Sequence, residues 1–316
     1  MSHQLEAASS CPFIALIGPT AVGKSDLALQ LAAQLPLEII NADSRQVYRH
    51  MNIGTSKPTA AERALVAHHI LDVVDPDEGF SLSDYLPYAR RAISNAAARG
   101  HIPLVVGGSG QYVWALVEDW QVPQVPPDSD FRQEMEGYAA VHGHEALHER
   151  LASIDVDAAL RIQSTNVRRV IRALELFRAT GVRPSLLLAR RREPQSNVVV
   201  IGLTLDRPLL FARVDARIDT MVTHGFPEEV TALLAMGYSP SLPSMSSIGY
   251  REMADFVTGK TDLATAIALL GRETRRLVRR QHSWFRLSDR RIIWLDAREP
   301  VVAVRQAAEL IQGTAT

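Results

Sequence analysis

The chain has 316 residues, enough for one large domain or two of ordinary size, and its 47% hydrophobic and 22% charged content is ordinary for a globular protein. No apolar run approaches the ~18 residues a membrane helix requires, and the N-terminal MSHQLEAASS lacks the basic patch and apolar stretch of a signal peptide, so a cytoplasmic chain with no membrane partner is expected. The one cysteine, Cys11, excludes an intrachain disulfide and any multi-cysteine metal or iron–sulfur site.

Taken in chain order, residues 12–17 (PFIALI) predict a buried strand that runs into GPTAVGKS (18–25). A helix follows, with Leu27, Leu31 and Leu35 at four-residue spacing. LEII (37–40) predicts a second strand, HHILDVV (68–74) a third, and residues 83–99 a helix stopped by Gly100. IPLVV (102–106) is a further buried strand, leading into GGSG and another helical segment. Strand and helix in alternation predict an α/β fold with a doubly wound parallel sheet. The pattern changes at VPQVPPD (122–128), and residues 129–192 contain only helical signals. NVVVIGLTL (197–205) resumes as strand, with helices near 207–223, 227–236 and 261–287, a last strand at RIIWLD (291–296) and a last helix at 299–312. The expected organisation is an α/β core formed by 1–125 and 197–316, interrupted by a helical insertion at 126–196.

The formal net charge of −1 conceals an asymmetry. Only Lys24, Lys57 and Lys260 among the 34 basic residues are lysines. Residues 161–192 hold nine arginines against Glu175, and residues 272–291 hold eight against Glu273 and Asp289. A high-GC genome accounts for arginine in place of lysine, but not for the scarcity of acids in those two stretches, which points to a surface for a polyanion.

GPTAVGKS fits the phosphate-loop pattern G-x-x-x-x-G-K-[ST], with a strand before it and a helix after it. Its residues Gly18, Pro19, Thr20, Ala21, Val22, Gly23, Lys24 and Ser25 are therefore expected to bind a diphosphate or nucleotide. Gly18 and Gly23 let backbone N–H groups turn toward an anion at a positive helix N-terminus. Lys24 reaches outer phosphate oxygens, and the Ser25 hydroxyl is the expected Mg²⁺ ligand. An ATPase usually adds an acid at a second strand end, yet IPLVV ends in Gly107-Gly108. Asp43, in NADSRQVY (41–48), can hold Mg²⁺ through water, act as a base, or form a helix cap or an Asx-turn. HEALH (144–148) matches a zinc-protease pattern with three fixed positions only, and no third ligand follows at a usual spacing, so a solvated helix face is the preferred reading. His68 and His69 are adjacent, point to opposite sides of a strand and make poor joint ligands.

Beyond the phosphate loop, the motifs NADSRQVYRHMNIGTSKP (41–58), HHILDVVDP (68–76), GGSGQY (107–112), NVRRVIRALE (166–175), RVDARID (213–219), SSIGYRE (246–252) and RRQHSWFR (279–286) occur in order. With them nearly the whole chain resembles the bacterial tRNA dimethylallyltransferases, also called tRNA isopentenyltransferases. Ser109 stands where many members carry Thr, and Gln111 where Leu is common. The zinc finger that animal and fungal members can add is absent from this sequence.

The resemblance implies a P-loop kinase-like core whose insertion grips a tRNA anticodon stem-loop. It implies transfer of a dimethylallyl group from dimethylallyl diphosphate to N6 of adenine 37, in tRNAs reading codons that begin with U, with Mg²⁺ required. It also implies Asp43, Ser109, Arg217 and Lys24 as catalytic residues. The RNA-contacting positions it implies are Asp43, Ser44, Arg45, Gln46, Arg168, Arg169, Arg172, Gly249, Tyr250, Arg251, Arg279, Arg280, Gln281, Trp284, Phe285 and Arg286, with Trp284 or Phe285 as a stacking surface or as helix core. A monomer is expected. A P-loop small-molecule or nucleotide kinase and an RNA-binding ATPase are the competing classes.

Overall fold

Continuous apolar runs become the middle of a parallel sheet. β1 (Phe13–Ile17) and β2 (Leu37–Asn41) are buried along their whole length, as strands covered on both faces must be. With β3 (His68–His69), β4 (Ile102–Gly107), β5 (Val198–Thr204) and β6 (Ile292–Asp296) they form a six-stranded sheet of order β3-β2-β4-β1-β5-β6. Every pairing is parallel, with Ile14 opposite Leu104 on one side of β1 and Phe13 opposite Val198 on the other. The connection leaving β1 passes over β4 to reach β2, and the one leaving β4 returns over β1 to β5. The carboxyl ends of β1 and β4 therefore flank the switch point where α/β sheets hold ligands. The third strand is much shorter than HHILDVV suggests. Ile70 and Asp72 adopt positive φ, 64° and 56°, which ends the extended run after His69.

This structure is a computed structural model, describing residues 11–187 and 197–314. It divides into two compact units, Met1–Val117 with Pro194–Thr316, and Glu118–Glu193. In the first, α1 (Lys24–Ala32), α2 (Ala60–Leu65), α3 (Leu82–Ala98) and α4 (Gly110–Val117) connect the early strands. The short α2 has no buried residue and was not evident from apolar spacing. A capping box starts it: Thr59 Oγ1 accepts the Glu62 N–H and the Glu62 carboxylate accepts the Thr59 N–H. Glu38 lies inside β2, only 3% exposed, because Arg99, His69 and His101 all bond its carboxylate.

The second unit is helical: α5 (Ser129–His142), α6 (His144–Ile154), α7 (Val156–Arg161), α8 (Val167–Thr180) and α9 (Pro184–Leu187). Phe131, Met135, Leu147, Leu151, Val170, Ile171 and Leu174 form its core. Deleting a fully buried leucine such as Leu147 or Leu151 typically costs about 2–5 kcal/mol. The unit begins at Glu118, before the proline-rich stretch that marks it in the sequence. Two contacts tie that stretch to the insertion: Arg172 Nη2 donates to the Val125 carbonyl (2.9 Å), and Glu175 Oε1 accepts the Asp128 N–H (2.8 Å). Arg190, Arg191 and Arg192, part of the first arginine-rich stretch, lie outside the described residues.

The chain continues in the first unit through α10 (Arg207–Thr223), α11 (Phe226–Ala235), α12 (Tyr250–Val257), α13 (Leu263–Trp284) and, after β6, α14 (Pro300–Thr314). The sequence carries no separate signal for α12, whose eight residues start at Tyr250 after the N-cap Gly249 at φ +95°. Among the described residues no helix is long and apolar enough to cross a membrane.

Candidate active site

The phosphate loop leaves β1 at Gly18, whose φ of +146° suits glycine. A Cβ there would stand 2.7 Å from the Leu203 carbonyl oxygen. Gly23 (φ +107°) turns the chain into α1, with Lys24 and Ser25 in the helix's first turn. Together with residues from the ends of β2 and β4 and from α10, the loop lines a cavity of about 300 Å³.

Lys24 is half-buried in that cavity and Nζ donates to the carbonyls of Gly18 (3.0 Å) and Pro19 (2.8 Å). Arg217, from α10, donates to Thr20 Oγ1 (3.1 Å). Among the described residues neither cation is in an ion pair. Burial first and the Arg217 charge second pull Lys24 down to about 7, with Asp43 opposing them. Burial likewise pulls Arg217 below its ordinary range. Two cations held close together without a carboxylate partner make a strong local positive potential at a helix N-terminus.

Asp43 faces the same cavity. Its position is set by Asn41, which is buried at the end of β2. Asn41 Oδ1 accepts the Asp43 N–H (2.9 Å), while Nδ2 donates to the carbonyls of Asp43 (3.0 Å) and Ile70 (3.0 Å). Asp43 Oδ1 accepts the Arg45 N–H at 2.8 Å, so the Asx-turn is formed. The same residue still faces the cavity, and its turn geometry fixes one carboxylate oxygen while leaving the other for chemistry. Ser109, just past β4, accepts the Ser44 N–H at 3.1 Å through its hydroxyl. It thereby clamps the segment carrying Asp43 onto the end of β4.

The opposite wall is the segment Thr55, Ser56, Lys57 and Pro58. Glu229, on α11, holds it from behind by accepting the N–H groups of Asn52 (2.9 Å), Ile53 (2.7 Å) and Gly54 (3.2 Å). Gln46 Nε2 donates to the carbonyls of Thr55 (3.1 Å) and Ser56 (3.0 Å), which leaves Oε1 of a cavity-lining amide as an acceptor. The Lys57 side chain is fully buried, donating to the Tyr48 carbonyl (2.6 Å) and Asp72 (2.7 Å). Sequence reasoning missed Asn41, Lys57 and Glu229 as organisers. The first two sit inside quoted motifs, but nothing local marks Glu229.

The expected RNA-contacting residues separate by exposure. Arg45, Arg168, Arg169, Arg251, Arg279, Arg280 and Arg286 are exposed, and Ser44, Gln46 and Trp284 half-buried. The structure corrects three others, which are internal: Gly249, Tyr250 (0% exposed) and Phe285 (1%); Gln281 (7%) is buried too but lines the cavity. Tyr250 packs edge-on to Phe226 and donates its hydroxyl to Glu229. Phe285 packs beside Trp114, so it is helix core and no stacking platform. Gln281 bonds Thr20 and Gly108. Arg172 is ion-paired with Glu175, which distinguishes it from its neighbours Arg168 and Arg169. In HEALH, His148 Nε2 lies 2.8 Å from the Ile162 carbonyl oxygen and 3.1 Å from that of Ala159, joining α6 to the end of α7 instead of facing solvent.

A parallel sheet with a phosphate loop at its switch point, a carboxylate across the cavity and a separate helical unit define a P-loop transferase or kinase class. Residues 46–288 match the IPP transferase family, and residues 12–74 match isopentenyl transferase. A tRNA dimethylallyltransferase of Roseiflexus castenholzii is 50% identical over 275 residues, 87% of this chain and 90% of the relative. One from Chloroflexus aggregans is 48% identical, over 89% of this chain and 95% of its own. The solved tRNA isopentenylpyrophosphate transferase of Bacillus halodurans superposes with a TM-score of 0.69 at 37% identity, covering 97% of this chain and 98% of that one. A eukaryotic dimethylallyltransferase, solved acting on tRNA, gives 0.81 at 27% identity, over 93% and 77%. The chain belongs to the IPP transferase family of tRNA-modifying prenyltransferases.

Proposed function

We propose that this chain transfers the dimethylallyl group of dimethylallyl diphosphate to N6 of adenine 37 in tRNAs that read codons beginning with U. The observation carrying this reading is the cavity itself, where two cations without a carboxylate partner face one carboxylate on a clamped turn. The cations and the loop's N–H groups suit a diphosphate, and Asp43 suits a weakly acidic N–H.

In the reaction the N6 lone pair forms a bond to C1 of the allylic donor as the C1–O bond breaks and pyrophosphate leaves. The N6 proton passes to Asp43. Lys24 and Arg217 stabilise the charge that develops on the leaving oxygens, the largest single contribution such a site can make. Adenine's exocyclic amine is a poor nucleophile because its lone pair is delocalised into the ring, so a base positioned on its proton accelerates the step. Ser109 and Asn41 hold that base in place. The target base leaves the anticodon stack to enter the cavity, and the exposed arginines of the insertion and of α13 take RNA phosphates.

Mg²⁺ fits the site. Ser25 offers a hydroxyl at the rim, with Asp26 and Asp43 lining the same cavity, and Mg²⁺ typically keeps several waters while using one or two protein oxygens and substrate phosphates. When bound it would neutralise diphosphate charge. We further propose a monomer acting in the cytoplasm.

The test is purified protein with dimethylallyl diphosphate, Mg²⁺ and an anticodon stem-loop bearing adenine 37. N6-dimethylallyladenosine and pyrophosphate are expected one-to-one with no nucleotide present. A strict ATP requirement or stoichiometric ADP release would return the chain to the kinase or ATPase reading.

A further inference from the structure

We propose that Gln281 is a positioning residue for the donor's diphosphate, acting through the phosphate loop, and makes no direct contact with RNA. This rests on the reading that the phosphate loop holds the donor. Gln281 lies in the arginine-rich end of α13, where Arg279 and Arg280 are exposed. Its own side chain is buried and turned inward. Oε1 accepts the Thr20 N–H at 2.9 Å and Nε2 donates to the Gly108 carbonyl at 3.1 Å. One partner is a donor and the other an acceptor, so only one orientation of the carboxamide satisfies both. Rotating or replacing it strands a buried polar group, which is costly.

The consequences converge on the cavity. Thr20 and Gly108 both line it, one on the phosphate loop and one past β4, and Gln281 lines it between them with its amide committed to those two. Gln281 joins those two segments across the switch point of the sheet. Thr20 is also the residue whose hydroxyl receives Arg217. The placement of the Arg217 guanidinium relative to the loop's N–H groups therefore passes through Thr20, and Thr20 is held by Gln281. Space is tight on the Gly108 side, where a Cβ would stand 2.3 Å from Gln281 Nε2. One turn further along α13, Trp284 lies against Gly110, and its carbonyl accepts the Trp114 indole N–H at 3.0 Å. That contact fixes the helix lengthwise, so the Gln281 amide is delivered at a set height above the loop.

Three full-chain variants test this: Gln281→Met, Gln281→Glu and Gly108→Ala. Met keeps the length and loses both bonds. Glu keeps the acceptor for Thr20, loses the donor and brings a negative charge beside the anion. Gly108→Ala displaces the amide without touching residue 281. Binding of inorganic pyrophosphate with Mg²⁺ is read by calorimetry, and KM is measured separately for dimethylallyl diphosphate and for the anticodon stem-loop. Met and Ala should weaken pyrophosphate binding and raise the donor KM about tenfold, and Glu about a hundredfold because it adds like-charge repulsion. RNA affinity and its salt dependence should stay within about twofold of wild type, since no phosphate contact is lost. Weakened RNA binding with unchanged donor parameters would overturn the proposal. So would a lowered melting temperature with donor and RNA parameters unchanged. If the unmutated chain bound neither pyrophosphate nor donor, the phosphate-loop reading itself would fall. That outcome is visible before any variant is made.

Discussion

The two units each hold a cluster of partly buried charge, and they handle it in opposite ways. In the insertion the carboxylate of Glu175, 2% exposed, is saturated: Arg132 binds both oxygens, Arg172 binds one, and the Asp128 N–H adds a third partner. These partners outweigh its burial and hold it at about 2, well below the ordinary carboxylate range. In the core, Lys24 and Arg217 have backbone carbonyls and a hydroxyl for company, and burial lowers both. A buried charge fully paired within the protein is structural. Cations that no carboxylate ion-pairs, and that Asp43 and Asp26 reach only through space, suit an anion the protein does not itself supply.

The comparison breaks if the two clusters respond alike to mutation. The largest effect is expected from Asp43→Asn, which keeps the Oδ1 acceptor of the turn and removes the base. Loss of a general base typically lowers kcat by about 10²–10⁴. Stem-loop affinity should hardly change, and single-turnover kinetics against filter binding would expose a mere turn-former. Next comes Glu175→Ala, which leaves two partly exposed arginines and the Asp128 N–H without their acceptor and should destabilise the insertion by about 1–3 kcal/mol. Hydrogen exchange on α5 and α8 reads this directly, and pyrophosphate binding by the core should survive. Because Glu175 is depressed in the folded chain, its contribution is present above about pH 4.5 and is lost as pH falls toward 2.

Smaller effects sharpen the contrast. Arg168 and Arg169 are exposed and, among the described residues, not ion-paired. Replacing both with Gln should weaken stem-loop binding and flatten its log–log salt slope by up to ~1 per residue. Arg172→Gln should instead reproduce part of the Glu175 instability. An equal slope change for all three would refute the division. The finest effect is protonic. With Lys24 at about 7, dimethylallyl diphosphate binding at pH 8 should take up close to ~1 proton, as the anion restores the ammonium. Uptake should shrink below pH 7, where Lys24 is already charged, and disappear in Lys24→Met. Calorimetry in buffers of different ionisation enthalpy measures it. In the free protein the sign is also set: a depressed lysine penalises the protonated fold, so stability rises as pH climbs from 7 toward 10.5.

Much of this arrangement was legible because its signals are local. GPTAVGKS announces itself between a strand and a helix, Asp43 follows a strand end, and the core strands read as unbroken apolar runs. What escaped depends on partners far along the chain. Gln281 sits among arginines and looks like an RNA contact until its amide is seen to bond residues 20 and 108. Glu229 resembles any first-turn acid of a surface helix, yet three consecutive N–H groups from residues 52–54 converge on it. Tyr250 and Phe285 show the converse, since an aromatic next to an arginine carries no mark of whether it faces RNA or the core. Residues 118–125 could not be assigned by composition, because an anchor such as Arg172, which bonds Val125, lies nearly fifty residues downstream.

The central strand of the sheet also has a history on the ribosome. β1 gains one neighbour when Leu104 can align with Ile14, but its other edge waits for Val198 to meet Phe13. At about 5–20 residues per second of synthesis, the roughly ninety residues between Gly107 and Val198 keep the edge of Phe13–Ile17 unpaired for about 5–20 s. During that interval the nascent chain presents an apolar strand with free hydrogen-bonding groups, the configuration most prone to pairing with another chain. A parallel sheet closed by its fifth strand thus makes the newborn protein a natural client for chaperones that shield emerging polypeptides.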